Sequence, residues 1–121
     1  MKRGLAFGCF DPFHKGHLIF LRACKSQCDH LTVCVHDDAY IRKCKNREPI
    51  FNEKERLSDI AELHLVDRVL LDPDRSRNEW IKELNIDIHF VSEEVPGTGF
   101  SCPTVRIPRH PGLSSTRLRG K

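Results

Sequence analysis

Two histidines, three residues apart and set among glycines, are the first side chains in this sequence that suggest chemistry. They lie in Gly8-Cys9-Phe10-Asp11-Pro12-Phe13-His14-Lys15-Gly16-His17. If a helix begins here, His14 and His17 face the same way. A helix N-terminus leaves backbone N–H groups without partners and attracts anions. Two imidazoles beside such an end suit a phosphate. Gly8 is expected to turn the chain tightly off a preceding strand. Pro12 stiffens the loop, and Gly16 allows backbone or ligand to approach closely. The same pair has the chemistry of metal ligands, but no carboxylate or cysteine at helical spacing completes a tetrahedral set. A purely structural role fits less well, because the pair sits in a loop flanked by glycines.

Charge adds to this reading. The net charge of +3 is modest and does not by itself imply nucleic acid. Its distribution says more. Arg42, Lys43, Lys45 and Arg47 form one cluster, and Arg106, Arg109, Arg117, Arg119 and Lys121 form another. Alone, either reads as solvated surface. Brought together by a fold, they would surround a polyphosphate. Platforms for stacking bases are scarce, with Tyr40 and Trp80 isolated, so no nucleic-acid partner is expected. Two common phosphate motifs are missing. There is no G-x-x-x-x-G-K-[ST], and no G-x-G-x-x-G follows the first strand.

The elements that must position these residues alternate along the chain. Leu5-Ala6-Phe7 reads as a short buried strand. Residues 16–27 carry Phe20, Leu21 and Cys24 at helical spacing, continued by Cys28. Residues 31–35 are β-branched and apolar, a second strand. Asn52 and Glu55 form a capping box for a helix with Leu57, Ile60, Ala61 and His64 on one face. Residues 66–71 are a third strand. Ser76 and Glu79 form another capping box, leading into Trp80, Ile81 and Leu84. Residues 86–91 and 104–107 are the fourth and fifth strands, and Ser114-Ser115-Thr116 caps a last short helix. This order predicts a three-layer α/β domain with a mostly parallel five-stranded sheet. Ligands in such folds sit beyond the carboxyl ends of the strands, where strand order reverses. The loop 8–16 should be there. The loop 93–103, with Pro96, Gly97 and Gly99, reads as either a lid or a surface excursion.

The chain of 121 residues is expected to form a single domain, 1–121. Hydrophobic residues make up 39% and charged residues 31%, an ordinary soluble balance. No apolar run approaches the roughly 18 residues of a membrane span, and the N-terminus is too short and soon too polar for a signal peptide. A cytoplasmic protein without a membrane partner is therefore expected. Six cysteines without a C-x-x-C suggest neither a disulfide framework nor zinc. Cys24, Cys28 and Cys34 read as small buried hydrophobes.

The segment 8–17 resembles the signature G-x-F-D-x-x-H-x-G-H of the nucleotidyltransferase superfamily that includes the cytidylyltransferases. A second segment, Arg109-His110-Pro111-Gly112-Leu113-Ser114-Ser115-Thr116, resembles the R-T-E-G-I-S-T-T run of the glycerol-3-phosphate cytidylyltransferases. The likeness covers nearly the whole chain. It implies a Rossmann-like nucleotidyltransferase fold and transfer of CMP from CTP to a small phosphorylated alcohol, with release of pyrophosphate.

The resemblance also implies roles. His14, His17 and Arg109 would be catalytic, with the histidines at the triphosphate and Arg109 at the β- and γ-phosphates. Gly8, Cys9, Phe10, Lys15, Gly16, Arg47, Glu94 and residues His110, Pro111, Gly112, Leu113, Ser114, Ser115 and Thr116 would bind the nucleotide. Asp11, Lys45 and Arg77 would bind the acceptor. Magnesium would ride on the triphosphate, and a homodimer is implied. The chain departs from the pattern at several places. Cys9 stands for Thr, Ser92-Glu93-Glu94-Val95 stands for G-D-D-W, and His110-Pro111 stands for Thr-Glu. The string Pro12-Phe13-His14-Lys15-Gly16-His17 is similar to archaeal adenylyltransferases that use ATP. An ATP-dependent adenylyltransferase and a non-catalytic nucleotide-binding module are the alternatives.

Overall fold

In the computed structural model the described residues are 1–93, 95, 97 and 99–108. Glu94, residues 109–116 and the helix cap expected at Ser114 lie outside them. Five strands, β1 (Arg3–Gly8), β2 (His30–His36), β3 (Arg68–Asp72), β4 (Ile88–Ser92) and β5 (Thr104–Ile107), form one sheet in the order β3-β2-β1-β4-β5. Every adjacent pair is parallel. The helices are α1 (Lys15–Lys25), α2 (Asp38–Cys44), α3 (Glu53–Ala61) and α4 (Arg77–Glu83). This is the expected α/β Rossmann-like architecture.

The period of two along each strand sorts side chains between two packed faces. On one face Ala6, Val33, Val35, Ile88 and Phe90 meet Leu21 and Cys24 of α1 and Ile60 of α3. On the other, Leu5, Phe7 and Cys34 meet Trp80 and Ile81 of α4. Burial on both sides explains why the central strands read as continuous apolar runs. Cys24 and Cys34 have no exposure. Burial raises both thiols, Cys34 to about 12, as expected of cysteines that serve as core. Cys28 is only partly buried.

Local signals predict some elements better than others. The Asn52–Glu55 capping box forms, with Glu55 N–H donating to Asn52 Oδ1 at 2.9 Å and Asn52 N–H donating to Glu55 Oε1 at 3.1 Å. That helix ends at Ala61, so His64 is beyond it. The Ser76 box does not form, because the Glu79 N–H bonds the Ser76 carbonyl instead, at 3.1 Å. Helix α2 was not expected. Its start is marked by Asp37, whose side chain accepts from Tyr40 N–H at 2.8 Å, but Ile41 is its one buried residue. A seven-residue helix with so narrow an apolar face gives little periodicity to detect.

Strand order reverses at β1, which lies between β2 and β4. The crevice beyond Gly8 and Ser92 is therefore the topological switch point. Described residues after β4 are hydrogen-bonded next to it. Asn78 of α4 donates to Gly99 O at 3.1 Å and accepts from Ser101 N–H at 2.9 Å, while Arg106 donates to the carbonyls of Val95 and Gly97.

Candidate functional site

His14 is the N-cap of α1 and is extended, at φ −145°. Its Nδ1 accepts from Gly16 N–H at 3.1 Å, and His17 Nδ1 accepts from His14 N–H at 3.2 Å. The pair is a reciprocal capping box built from imidazoles. A nitrogen that accepts carries the lone pair, so the proton of each neutral ring is on Nε2. The rings stack with centroids 3.8 Å apart. Burial, helped by His14 and by Lys45, lowers the His17 pKa to about 3. His17 is thus a neutral donor at physiological pH.

The loop around them is shaped by two tight fits. A Cβ on Gly16 would lie 2.9 Å from His14 Cε1. A Cβ on Gly8 would lie 2.6 Å from the Phe10 ring. The positive φ of this loop falls on Phe10, at 52°, not on Gly8. Gly8 therefore leaves room for an aromatic ring rather than making the turn. A bulky residue at positive φ is strained, by order ~1–3 kcal/mol. The Phe10 ring is 2% exposed and meets His17 edge-on at 5.1 Å, and this packing offsets the strain.

Two buried charges hold the surrounding loops. Asp11 was expected at the acceptor, but its carboxylate faces the protein. It accepts from Arg47 Nη1 at 2.9 Å, Ile50 N–H at 2.9 Å and Phe51 N–H at 2.8 Å. Burial opposes ionisation, yet these donors hold its pKa below the ordinary value. Arg56, to which the sequence reading gave no role, has no exposure. It donates to Cys9 O at 2.9 Å, His36 O at 2.6 Å, Phe51 O at 2.9 Å and Asp38 Oδ1 at 2.7 Å. One guanidinium thus fixes the ends of β1 and β2 to the start of α3. Cys9 itself is a thiol whose pKa is raised by burial.

Across β1 from the histidine pair lies a second group. The Arg77 guanidinium lies over the Phe7 ring, 4.4 Å from its centroid. The His36 ring stacks on Tyr40 at 3.9 Å. His36 Nδ1 is 3.2 Å from Asp72 Oδ2, an ion-pair distance. His89, fully buried on β4, contacts Arg77 at 3.1 Å.

Both groups open into one cavity of about 830 Å³ at the switch point. Of the expected residues, Gly8, Cys9, Phe10, Asp11, His14, Gly16, His17, Lys45, Arg47 and Arg77 line it. Lys15 does not. It is exposed, because one residue past His14 turns it about 100° round the helix, away from the histidine face. Arg47 is partly engaged by Asp11. The lining residues not anticipated include Phe7, His36, Tyr40 and the apolar wall of Ile19, Phe20 and Ala23. Among the described lining residues Asp11 is the only carboxylate, against Lys45, Arg47 and Arg77. The cavity suits an anion.

No helix among the described residues is long and apolar enough to cross a membrane. Comparisons with known proteins agree with the geometry. Residues 5–98 match the family described as cytidylyltransferase-like. The chain is 34% identical to an FAD synthase of Thermococcus onnurineus, over 97% of this chain and 77% of that one. It is 32% identical to the bifunctional protein HldE of Helicobacter pylori, over 92% of this chain but 25% of that one, so it spans about a quarter of the HldE relatives. A crystal structure of a lipopolysaccharide core biosynthesis protein from Thermoplasma volcanium superposes with a TM-score of 0.82 at 30% identity, over 91% of this chain and 98% of that one. With the imidazole pair at the switch point and the family match across most of the sheet, the chain belongs to the cytidylyltransferase-like family of nucleotidyltransferases.

Proposed function

We propose that the chain transfers a nucleoside monophosphate from a nucleoside triphosphate to the phosphate of a small acceptor. An acceptor phosphate oxygen attacks the α-phosphorus, the bond from that phosphorus to the bridging oxygen breaks, and pyrophosphate leaves with the electron pair. The nucleophile is already ionised, so no general base is required. Catalysis is then positioning and electrostatic stabilisation. The observation that carries this reading is the shared tautomer of His14 and His17. Their Nδ1 atoms are held by backbone N–H groups, which puts the ring proton of each on Nε2 in a cation-lined cavity. Lys45, close enough to lower the His17 pKa, adds positive charge to the same region. Arg109 is proposed to hold the β- and γ-phosphates and residues 110–116 to bind the nucleotide, as in the family signature.

Magnesium fits as a partner of the triphosphate rather than of the protein. Among the described residues no cluster of three or more His, Cys, Asp or Glu could hold it, and the Asp11 carboxylate is already engaged. When bound, the ion would neutralise phosphate charge.

Two choices of base each rest on an observation. The run Arg109-x-x-Gly-x-Ser-x-Thr supports CTP with a glycerol-3-phosphate-like acceptor. The FAD synthase relatives support ATP, since FAD carries an adenylyl group. We favour ATP, because the chain is 34% identical to an FAD synthase across 97% of its length. A matrix of four nucleotides against phosphorylated alcohols, sugars and flavin mononucleotide, read by pyrophosphate release, tests both. Release with no pair would overturn the transfer reaction, and release with CTP alone would overturn the choice of ATP. A cytoplasmic homodimer is proposed with it, and a monomeric mass by light scattering would overturn the dimer.

A further inference from the structure

Arg77 differs from the other arginines near the cavity. Arg47 and Arg56 each have a carboxylate partner, at 2.9 and 2.7 Å. Arg77 has no ion pair among the described residues. Its nearest side-chain contacts are the Phe7 face and His89 Nε2, while the Asp72 carboxylate acts on it through charge without an ion pair. Arginine can only donate, so His89 Nε2 carries the lone pair and the ring proton is on Nδ1. Nδ1 then donates to Thr104 Oγ1 at 3.2 Å, and the Thr104 hydroxyl donates to Cys102 O at 3.4 Å. Each group in this relay has one possible direction. It starts in the cavity and ends on the backbone just before β5.

The chemistry of the partner matters. A carboxylate at position 89 would orient Arg77 equally well but would cancel its charge. A neutral imidazole orients the guanidinium and leaves the full positive charge for a ligand. We infer that His89 is a positioning residue: through the Thr104 relay it holds Arg77 against Phe7 as a cation without a direct carboxylate partner, for the phosphate of the acceptor. This rests on the proposed transfer reaction for the identity of the ligand, but the relay itself does not.

The test uses the full chain and its variants His89→Leu, His89→Glu, His89→Gln and Thr104→Val. With the acceptor that the wild type uses, His89→Leu and His89→Glu should raise the acceptor KM about tenfold or more, with the nucleotide KM within about twofold. His89→Gln, which keeps an acceptor atom, should recover most of the loss, and Thr104→Val should show a smaller rise. Inorganic phosphate, followed at the Arg77 Nε–H resonance, should bind about tenfold more weakly to His89→Leu. Nitrogen-15 spectra should show the His89 lone pair on Nε2. A lone pair on Nδ1, an unchanged acceptor KM in His89→Leu, or His89→Glu behaving like wild type would overturn the inference. Phosphate binding that depends on His89 without any pyrophosphate release would uphold the relay and remove the reaction. Normal turnover in His89→Leu would do the reverse.

Discussion

The imidazoles of His14 and His17 stack 3.8 Å apart, and each gives its Nδ1 to a backbone N–H within the first turn of α1. The turn that orients them is the turn they cap. Two donors are thereby fixed without any residue outside the segment 14–17. Stacked rings this close disfavour double protonation, since like charges would meet in a partly buried site.

Replacing His17 with Ala should lower kcat by about 10²–10³-fold, the usual loss for one donor to a developing phosphoryl charge. Pyrophosphate release measured beside a thermal melt separates this from unfolding. Turnover within a few-fold of wild type in a folded variant would remove His17 from the mechanism.

Gly16→Ala should divide stability from activity. Alanine favours the helix by about 1 kcal/mol over glycine. Its Cβ, however, would press on the His14 ring, whose Cε1 would be 2.9 Å away. Losing that cap costs about 1 kcal/mol. The melting temperature should therefore change little, while kcat falls about 10–100-fold because the imidazole is displaced. A fully active variant would show that His14 tolerates movement.

Arg56→Ala should be among the most damaging single changes. It leaves three backbone carbonyls and Asp38 Oδ1 without their donor in a buried place. The loss should be about 3–5 kcal/mol, read from urea unfolding. A loss under about 1 kcal/mol, the range of surface pairs, would contradict the clamp.

Stability should depend on pH through two histidines. His17 is held down to about 3 by burial, then His14 and Lys45, and His89 to about 4 by burial, then Arg77 and Arg106. Both start from an ordinary 6.5. Below about pH 6.5 the unfolded chain takes up protons that the folded chain refuses, so stability falls as pH drops. The fall approaches ~1.4 kcal/mol per pH unit for each histidine and ends as pH passes the folded values. Above about pH 7 neither contributes a slope. Urea titrations between pH 8 and 5 should show this, and His89→Gln should reduce the slope. A flat profile would mean that both histidines titrate normally in the fold.

Much of the site was legible because its geometry is local. The spacing of His14 and His17, the following glycine and the start of an apolar helical pattern all lie within a few residues. The Asn52 box is read in the same way. Arg56 gave no such signal, because its partners are far along the chain, at Cys9, His36 and Asp38. His89 sits in an apolar run and reads as core. Only the pairing of β4 with β5 places Thr104 opposite it, and only α4 brings Arg77 to its other nitrogen.

The sequence by itself determined the order of the strands and of helices α1, α3 and α4, which follows from short-range spacing and periodicity, and it pointed to the family through its resemblance to known signatures. The tertiary structure alone decided how charge is distributed around the cavity. It neutralised Asp11 against Arg47, buried Arg56 among carbonyls and left Arg77 beside a neutral imidazole. Whether a cation is available to a ligand depends on which groups lie within a few ångströms of it. For these residues those neighbours come from strands and loops that are distant in the chain.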